Sequence, residues 1–198
     1  MVVTDTWFDD DEKALLAGLV GKRFEKYRID EFVSGTAESS FGVVGLFVDG
    51  RVFALTAEQE VRDFFGAQED IAVVSFAETD ESGIGPHLVG VRQVDRPVDR
   101  TIEDVLLYED RQIMQEGGED AYEYRCIGAI VFKLPHTEVV FEPDGWIMES
   151  FGVLRGPGAS GSVRPADANT DDEERGSVRA ERQVLSMRAW GEGCRWQP

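Results

Sequence analysis

Carboxylates are the only chemistry that this chain carries in quantity. The run Asp9-Asp10-Asp11-Glu12, the group Glu78, Asp80 and Glu81 beside Ser82-Gly83, and the series Glu58, Glu60, Asp63, Glu69 and Asp70 each bring several acidic side chains within a few residues. Such oxygens could hold Ca²⁺ or Mg²⁺, and a carboxylate pair could serve a hydrolase as general acid and base. Spacing alone selects none of these. With 39 Asp and Glu in 198 residues almost any separation occurs, and the Asp9 run lacks the EF-hand pattern and suits the first turn of a helix. The sequence therefore assigns no catalytic residue, no metal ligand and no cofactor.

Other arrangements fail on context. Gly156-Pro157-Gly158-Ala159-Ser160-Gly161 matches Gly-x-Gly-x-x-Gly, but Ser162-Val163-Arg164-Pro165 leads into polar chain where a dinucleotide site needs a helix opening at the third glycine. No lysine follows the glycines, which removes the P-loop reading. Nucleophilic catalysis would have to draw on His87 or His136, and the nearest pairing is Cys126 with His136. Cys126 lies in the apolar run Tyr-Arg-Cys-Ile-Gly, where an unpaired cysteine is ordinarily a small buried hydrophobe. Two histidines and two cysteines without close spacing do not make a structural zinc site.

The acidic series has the more defined geometry. Thr56 with Gln59 three residues on reads as the start of a short helix that turns Val61, Phe64 and Phe65 inward and stops at Gly66. Glu58, Glu60, Asp63, Glu69 and Asp70 would then lie on its outer face or just beyond it, as candidate partner-binding residues for an arginine-rich surface.

The surrounding elements read as follows. Asp9 to Val20 is expected as a helix with acids in its first turn and Gly21 as the stop. Phe41–Val48, Asp49-Gly50 and Arg51–Leu55 form the clearest hairpin, because Asp-Gly supplies the positive φ angles of a tight turn. Strands are expected at Ile71–Phe76, Leu88–Val94, Ala121–Leu134 and Glu138–Phe141, with Trp146–Leu154 as strand or short helix, and a further helix is expected at Thr101–Leu107. The fold class expected is α+β, mostly antiparallel sheet with two or three short helices. An offset of 86 residues lays Gly42 on Gly128, Val44 on Ile130, Leu55 on Phe141 and Gly66 on Gly152, which points to two duplicated hairpin-plus-helix units.

Residues 1–154 are expected as an acidic α+β domain, 155–183 as a flexible linker rich in Gly, Pro and Asp, and 184–198 as an aromatic docking segment. The formal net charge is −19, and residues 1–150 hold 32 acids against 13 bases whereas 151–198 hold seven of each. Such a body repels phosphate, so direct nucleic-acid and anionic-membrane binding are excluded as expectations, while a basic protein partner is favoured. The acidic start and the absence of a long apolar run fit neither a signal peptide nor a membrane span, and two scattered cysteines suit a reducing cytoplasm.

Lys-Tyr-Arg-Ile-Asp, Val-Asp-Gly-Arg-Val-Phe-Ala-Leu-Thr, Phe-Gly-Ala-Gln-Glu-Asp-Ile-Ala-Val-Val and Ala-Ile-Val-Phe-Lys-Leu, in that order, resemble a loose group of small uncharacterised bacterial proteins over most of residues 22–154. The resemblance implies no activity and transfers no site residue. The function expected is an acidic, non-enzymatic binding module of the immunity-protein or inhibitor kind, engaging a basic partner protein, of which a nucleic-acid-binding protein is one kind. The alternative is a carboxylate- or divalent-metal-dependent hydrolase with its site between the two repeat units.

Overall fold

A computed structural model describes residues 1–34, 37–86, 89–166 and 178–190. In chain order these form β1 (Val2–Asp5), α1 (Asp10–Ala17), β2 (Arg23–Asp30), β3 (Phe32–Ser34), β4 (Ala37–Phe41), β5 (Val43–Val48), β6 (Arg51–Phe64) and β7 (Ala67–Thr79), followed by β8 (Gln93–Thr101), β9 (Asp104–Glu116), β10 (Glu119–Leu134), β11 (Thr137–Pro143), β12 (Ser150–Gly156), β13 (Val178–Ser186) and α2 (Met187–Trp190). One sheet has the order β13-β9-β10-β11-β12-β4-β3, with β1 added in parallel to β10, and the other runs β7-β6-β5-β2-β8. Apart from β1, the pairings are antiparallel. The expected sheet-dominated, mostly antiparallel fold is thus present.

The two sheets face each other across one apolar core. Period-two alternation sends Phe53, Leu55 and Ala57 of β6 inward, and Phe24, Tyr27 and Ile29 of β2 and Phe132 and Phe141 of the other sheet meet them. Phe24 and Phe132 lie 5.0 Å apart between ring centroids, and Tyr27 and Phe141 lie 5.5 Å apart edge to face. Each such ring contributes about 1.5–3 kcal/mol through its burial. At Gly42, with φ at 69°, the chain leaves β4 in the first sheet and enters β5 in the second.

The unbroken apolar runs have a physical reason. All six residues of β5 are buried. Val44, Leu46 and Val48 face the core, and Val43 and Phe47 pack on the other side under Ile84, which the segment after β7 brings across. Likewise Ala129, Val131 and Val140 are covered from outside by Ala159 and Val163. Strands covered on both faces need apolar residues at consecutive positions.

Asp9 caps α1 by accepting from Glu12 N–H at 2.8 Å, while Glu12 returns a bond to Asp9 N–H at 2.9 Å. Asp49 and Gly50 close β5–β6 with φ angles of 49° and 73°. The helix expected at Thr56–Phe65 is instead the outer half of β6, and Thr56 meets Ser75 Oγ at 2.7 Å across the ladder instead of capping. Apolar residues at 61, 64 and 65 imitate helical spacing, but pairing with β7 over its whole length decides the conformation. The helix expected at Thr101–Leu107 is likewise strand, since Val105 and Leu107 alternate into the core and pair with β10. The strand expected from Leu88 begins at Gln93, and Leu88 lies outside the described residues.

The two hairpins of the proposed repeat do share a register, with Val48 opposite Arg51 and Leu134 opposite Thr137. Their helical halves do not exist, because 56–64 is strand and the chain from Asp144 to Glu149 is neither helix nor strand. Within the expected linker, Arg155 and Gly156 complete β12, Ala159–Ser162 form a 3₁₀ turn, and Val178 to Gln183 pair with β9. Residues 167–177 lie outside the described part. Of the expected docking segment, Met187 is buried in the core and Trp190 packs against it, while residues 191–198 lie outside. Among the described residues no helix is long and apolar enough to cross a membrane.

Candidate functional site

The five acids of the series sit on an arm formed by the outer halves of β6 and β7. β5 stops pairing at Val43 opposite Thr56, and Gly42 C=O then takes Ala57 N–H at 2.8 Å. Beyond that point β6 has β7 on one side only. The arm closes at Phe65-Gly66, with φ angles of 53° and 85°, and Asp63 Oδ1 accepts from Gly66 N–H at 3.0 Å to secure the turn. Underneath, Phe64 stacks on Trp146 at 4.4 Å and meets Tyr124 edge to face at 4.9 Å, with Ile71 fully buried beside them.

The acids do not share one face. Strand alternation puts Glu58, Glu60 and Glu69 on the side of Arg62 and Phe64, and Asp63 and Asp70 on the side of Gln59 and Val61. Glu60 is ion-paired with Arg62, the only base between Glu58 and Asp70. Val61 is 65% exposed, and Ile147 and Met148, exposed by 48% and 42%, belong to the loop that crosses this side of the arm. That loop is fixed by Gln59 Nε2 donating to Ile147 C=O at 3.0 Å and by Ala72 N–H donating to Trp146 C=O at 2.7 Å. Sequence reasoning found the acids and missed their setting; the Phe53-x-Leu55-x-Ala57 alternation was the signal that β6 continues as a strand.

The remaining candidates are taken up by structural duties. Asp9 and Glu12 cap α1, and Glu12 also accepts from Phe76 N–H at 2.9 Å. Glu78 pairs with Arg51, Glu81 with Arg28, and Asp80 accepts from Ser82 N–H at 2.8 Å. Hydrogen bonds from the Ser82 hydroxyl and the Ser82 and Gly83 amides hold Asp80 below its ordinary value. Gly158 is left-handed, but only a one-turn 3₁₀ element follows it, and Ser160 N–H there is given to Glu138 at 2.6 Å. His136 occupies the β10–β11 turn, past Leu134, which itself lies eight strand residues and roughly 26 Å beyond Cys126. Burial, with Asp110 nearby, pushes the Cys126 thiol up, away from the thiolate a nucleophile needs. His87 lies outside the described residues.

Among the described residues, Phe24, Phe132 and Phe141 pack together in the core that the two hairpins of the repeat share. Among the described residues no three His, Cys, Asp or Glu side chains gather as a metal site would require. A small, partly open cavity of about 40 Å³ is lined by Arg164 and Arg182 together with Asp110, Tyr124, Cys126 and Trp146. It is the size of a few water molecules, and its charged walls are already paired, Arg182 with Asp110 and Arg164 with Glu142.

Comparison of the chain with protein-family models, with curated proteins and with solved structures found no match in any of the three.

Proposed function

We propose that the chain is an acidic, non-enzymatic binding module of the immunity-protein or inhibitor kind, and that it engages a basic partner protein. The observation that carries this reading is the arm. Five carboxylates and a single arginine stand between Glu58 and Asp70, on a hairpin that runs beyond its neighbouring strand. Elsewhere the bases are largely spent inside the molecule, Lys13 on Glu109, Arg96 on Glu38, Arg111 on Glu123 and Lys133 on Glu138. The field left at the surface is negative, which steers a basic partner toward it and repels phosphate. A protein whose own ligand is nucleic acid has the complementary surface.

The test is capture from the native host's lysate at low salt, followed by titration of the recovered partner in rising salt. A stoichiometric basic protein is expected, with affinity falling steeply as salt rises. Neutralising the arm with Glu58→Gln, Glu60→Gln, Asp63→Asn, Glu69→Gln and Asp70→Asn together is expected to weaken binding at least tenfold and flatten the salt dependence without changing the melting temperature. Undiminished binding by that variant would sink the proposal.

A further inference from the structure

The arm also carries an unused stretch of strand edge. In β6 the even-numbered residues direct their backbone groups to β7, because a two-residue turn makes Phe64 and Ala67 a hydrogen-bonded pair. The odd-numbered residues direct theirs outward, as Ala57 N–H and Gln59 N–H demonstrate by donating to Gly42 C=O and to Glu149 Oε1. Asp63 C=O, at the far end, accepts from Thr4 Oγ1. Between these two anchored ends lie Gln59 C=O, Val61 N–H, Val61 C=O and Asp63 N–H, and no described residue pairs with them. The window spans roughly 13 Å from Gln59 to Asp63.

Three other sheet borders, those of β8, β7 and β13, are blunted. β8 carries Pro97 and a left-handed Asp99, β7 gives Phe76 N–H to Glu12 and Ala72 N–H to Trp146, and β13 is rich in Arg and Glu. Those are the usual means of keeping an edge from pairing. Between Gln59 and Asp63 there is charge, from Glu60, Arg62 and Asp63, but no proline and no register shift, and Val61, Ile147 and Met148 are exposed apolar side chains of this part of the arm and its crossing loop.

We infer that this window on β6 pairs with an extended basic segment of the partner, which adds one short strand and sets an apolar side chain on Val61, Ile147 and Met148. Flanking Lys and Arg would meet Asp63 on one face of the arm and Glu58 and Glu60 on the other. Backbone bonds give such an addition its geometry, and charge on alternate side chains its selectivity. The inference rests on the acidic-binder reading and specifies where that binder grips.

The probe is the acetylated, amidated peptide Arg-Lys-Val-Arg-Lys-Val-Arg, compared with an analogue in which both Val are Pro, equal in charge but unable to pair. At low salt the Val peptide is expected to bind at least tenfold more tightly and to slow hydrogen exchange of the Val61 and Asp63 amides tenfold or more. Val61→Pro removes the outward N–H and Val61→Lys repels a basic strand; both are expected to abolish the preference while the melting temperature stays that of the parent. Equal binding of the two peptides with unchanged Val61 exchange would overturn the edge inference and leave the acidic-binder reading standing. Failure of both peptides to bind at low salt would overturn the two together.

Discussion

Arg182 of β13 stands directly opposite Asp110 of β9, with Nε on Oδ1 at 2.5 Å and Nη2 on Oδ2 at 2.6 Å. The pair is largely withdrawn from water, at 18% and 7% side-chain exposure. Arg182 Nη1 also donates to Arg164 C=O at 2.7 Å. Gly128, the extra residue where the β9–β10 register shifts, makes room: a Cβ there would fall 2.5 Å from Asp110 Oδ2. Arg182→Ala leaves a buried carboxylate without its partner and is expected to destabilise the fold by about 3–5 kcal/mol. Gly128→Ala should cost about 1–3 kcal/mol by overpacking. Urea denaturation measures both, and a loss under about 0.5 kcal/mol for Arg182→Ala would show the pair to be dispensable.

Gly45 is required by Ile84. A Cβ on Gly45 would come within 2.5 Å of Ile84 Cδ1 and 2.8 Å of its Cγ2, so Gly45→Ala must expel the side chain that covers the outer face of β5. A loss of about 1–3 kcal/mol is expected. Ile84→Ala should be destabilising alone yet partly relieve Gly45→Ala, giving a double-mutant coupling of about 1 kcal/mol. Additive losses would contradict the contact.

Glu12 serves two amides on different elements, Asp9 N–H at the start of α1 and Phe76 N–H on the edge of β7. Glu12→Ala should therefore cost about 1–2 kcal/mol, more than Asp11→Ala, which removes no such bond. Paired thermal melts would settle the order.

Acid should weaken the fold in a defined window. A hydrogen bond from Arg28, with a second from Lys26, holds Asp95 down at about 2 against partial burial, and Arg111, with Arg125, holds Glu123 below its ordinary range. A carboxylate depressed in the folded state stabilises above its unfolded value, and that contribution is lost as pH falls through the folded one. Stability should thus decline from about pH 4 toward about pH 2. Asp95 is 40% exposed, so solvent screening keeps its share small. Melts of the parent and of Asp95→Asn across this range are expected to converge toward the acid end.

Alkali acts through Tyr27. Burial, then the charge of Glu38, pushes its hydroxyl up to about 12. The folded state thus favours the neutral phenol, which the unfolded chain loses near pH 10, so stability should fall as pH rises from about 10 to about 12. Burial also pushes the Tyr124 hydroxyl up, so absorbance at 295 nm should show two tyrosines ionising only with unfolding, and Tyr27→Phe should remove about half of that phase.

Local signals were legible in the sequence where chemistry is local. Asp49-Gly50 announced its hairpin, the run of acids from Asp9 to Glu12 announced the first turn of α1, and the acids of the arm were visible as a group. What escaped was decided at long range. Thr56–Phe65 could be read as helix because 61, 64 and 65 recur at helical spacing, and only pairing with β7 makes it strand. Phe65 holds a left-handed turn position that its side chain does not advertise. The open window at Val61 exists because β5 ends early and because Glu149 and Thr4 hold its two ends, which no local pattern encodes.

The parallel addition of β1 to β10 has a kinetic consequence. Asp5 reaches its Arg125 partner across 120 residues of chain, and β13 reaches β9 across 64 residues at Val178 and Met114 and 80 at Ser186 and Leu106. On a ribosome, β1 emerges long before the strand it must join, and β9 waits with a bare border until Arg182 leaves the tunnel. Closing such distant pairs is slow, so the refolding of this chain should run in milliseconds to seconds, and nascent β9 is the segment most in need of a chaperone.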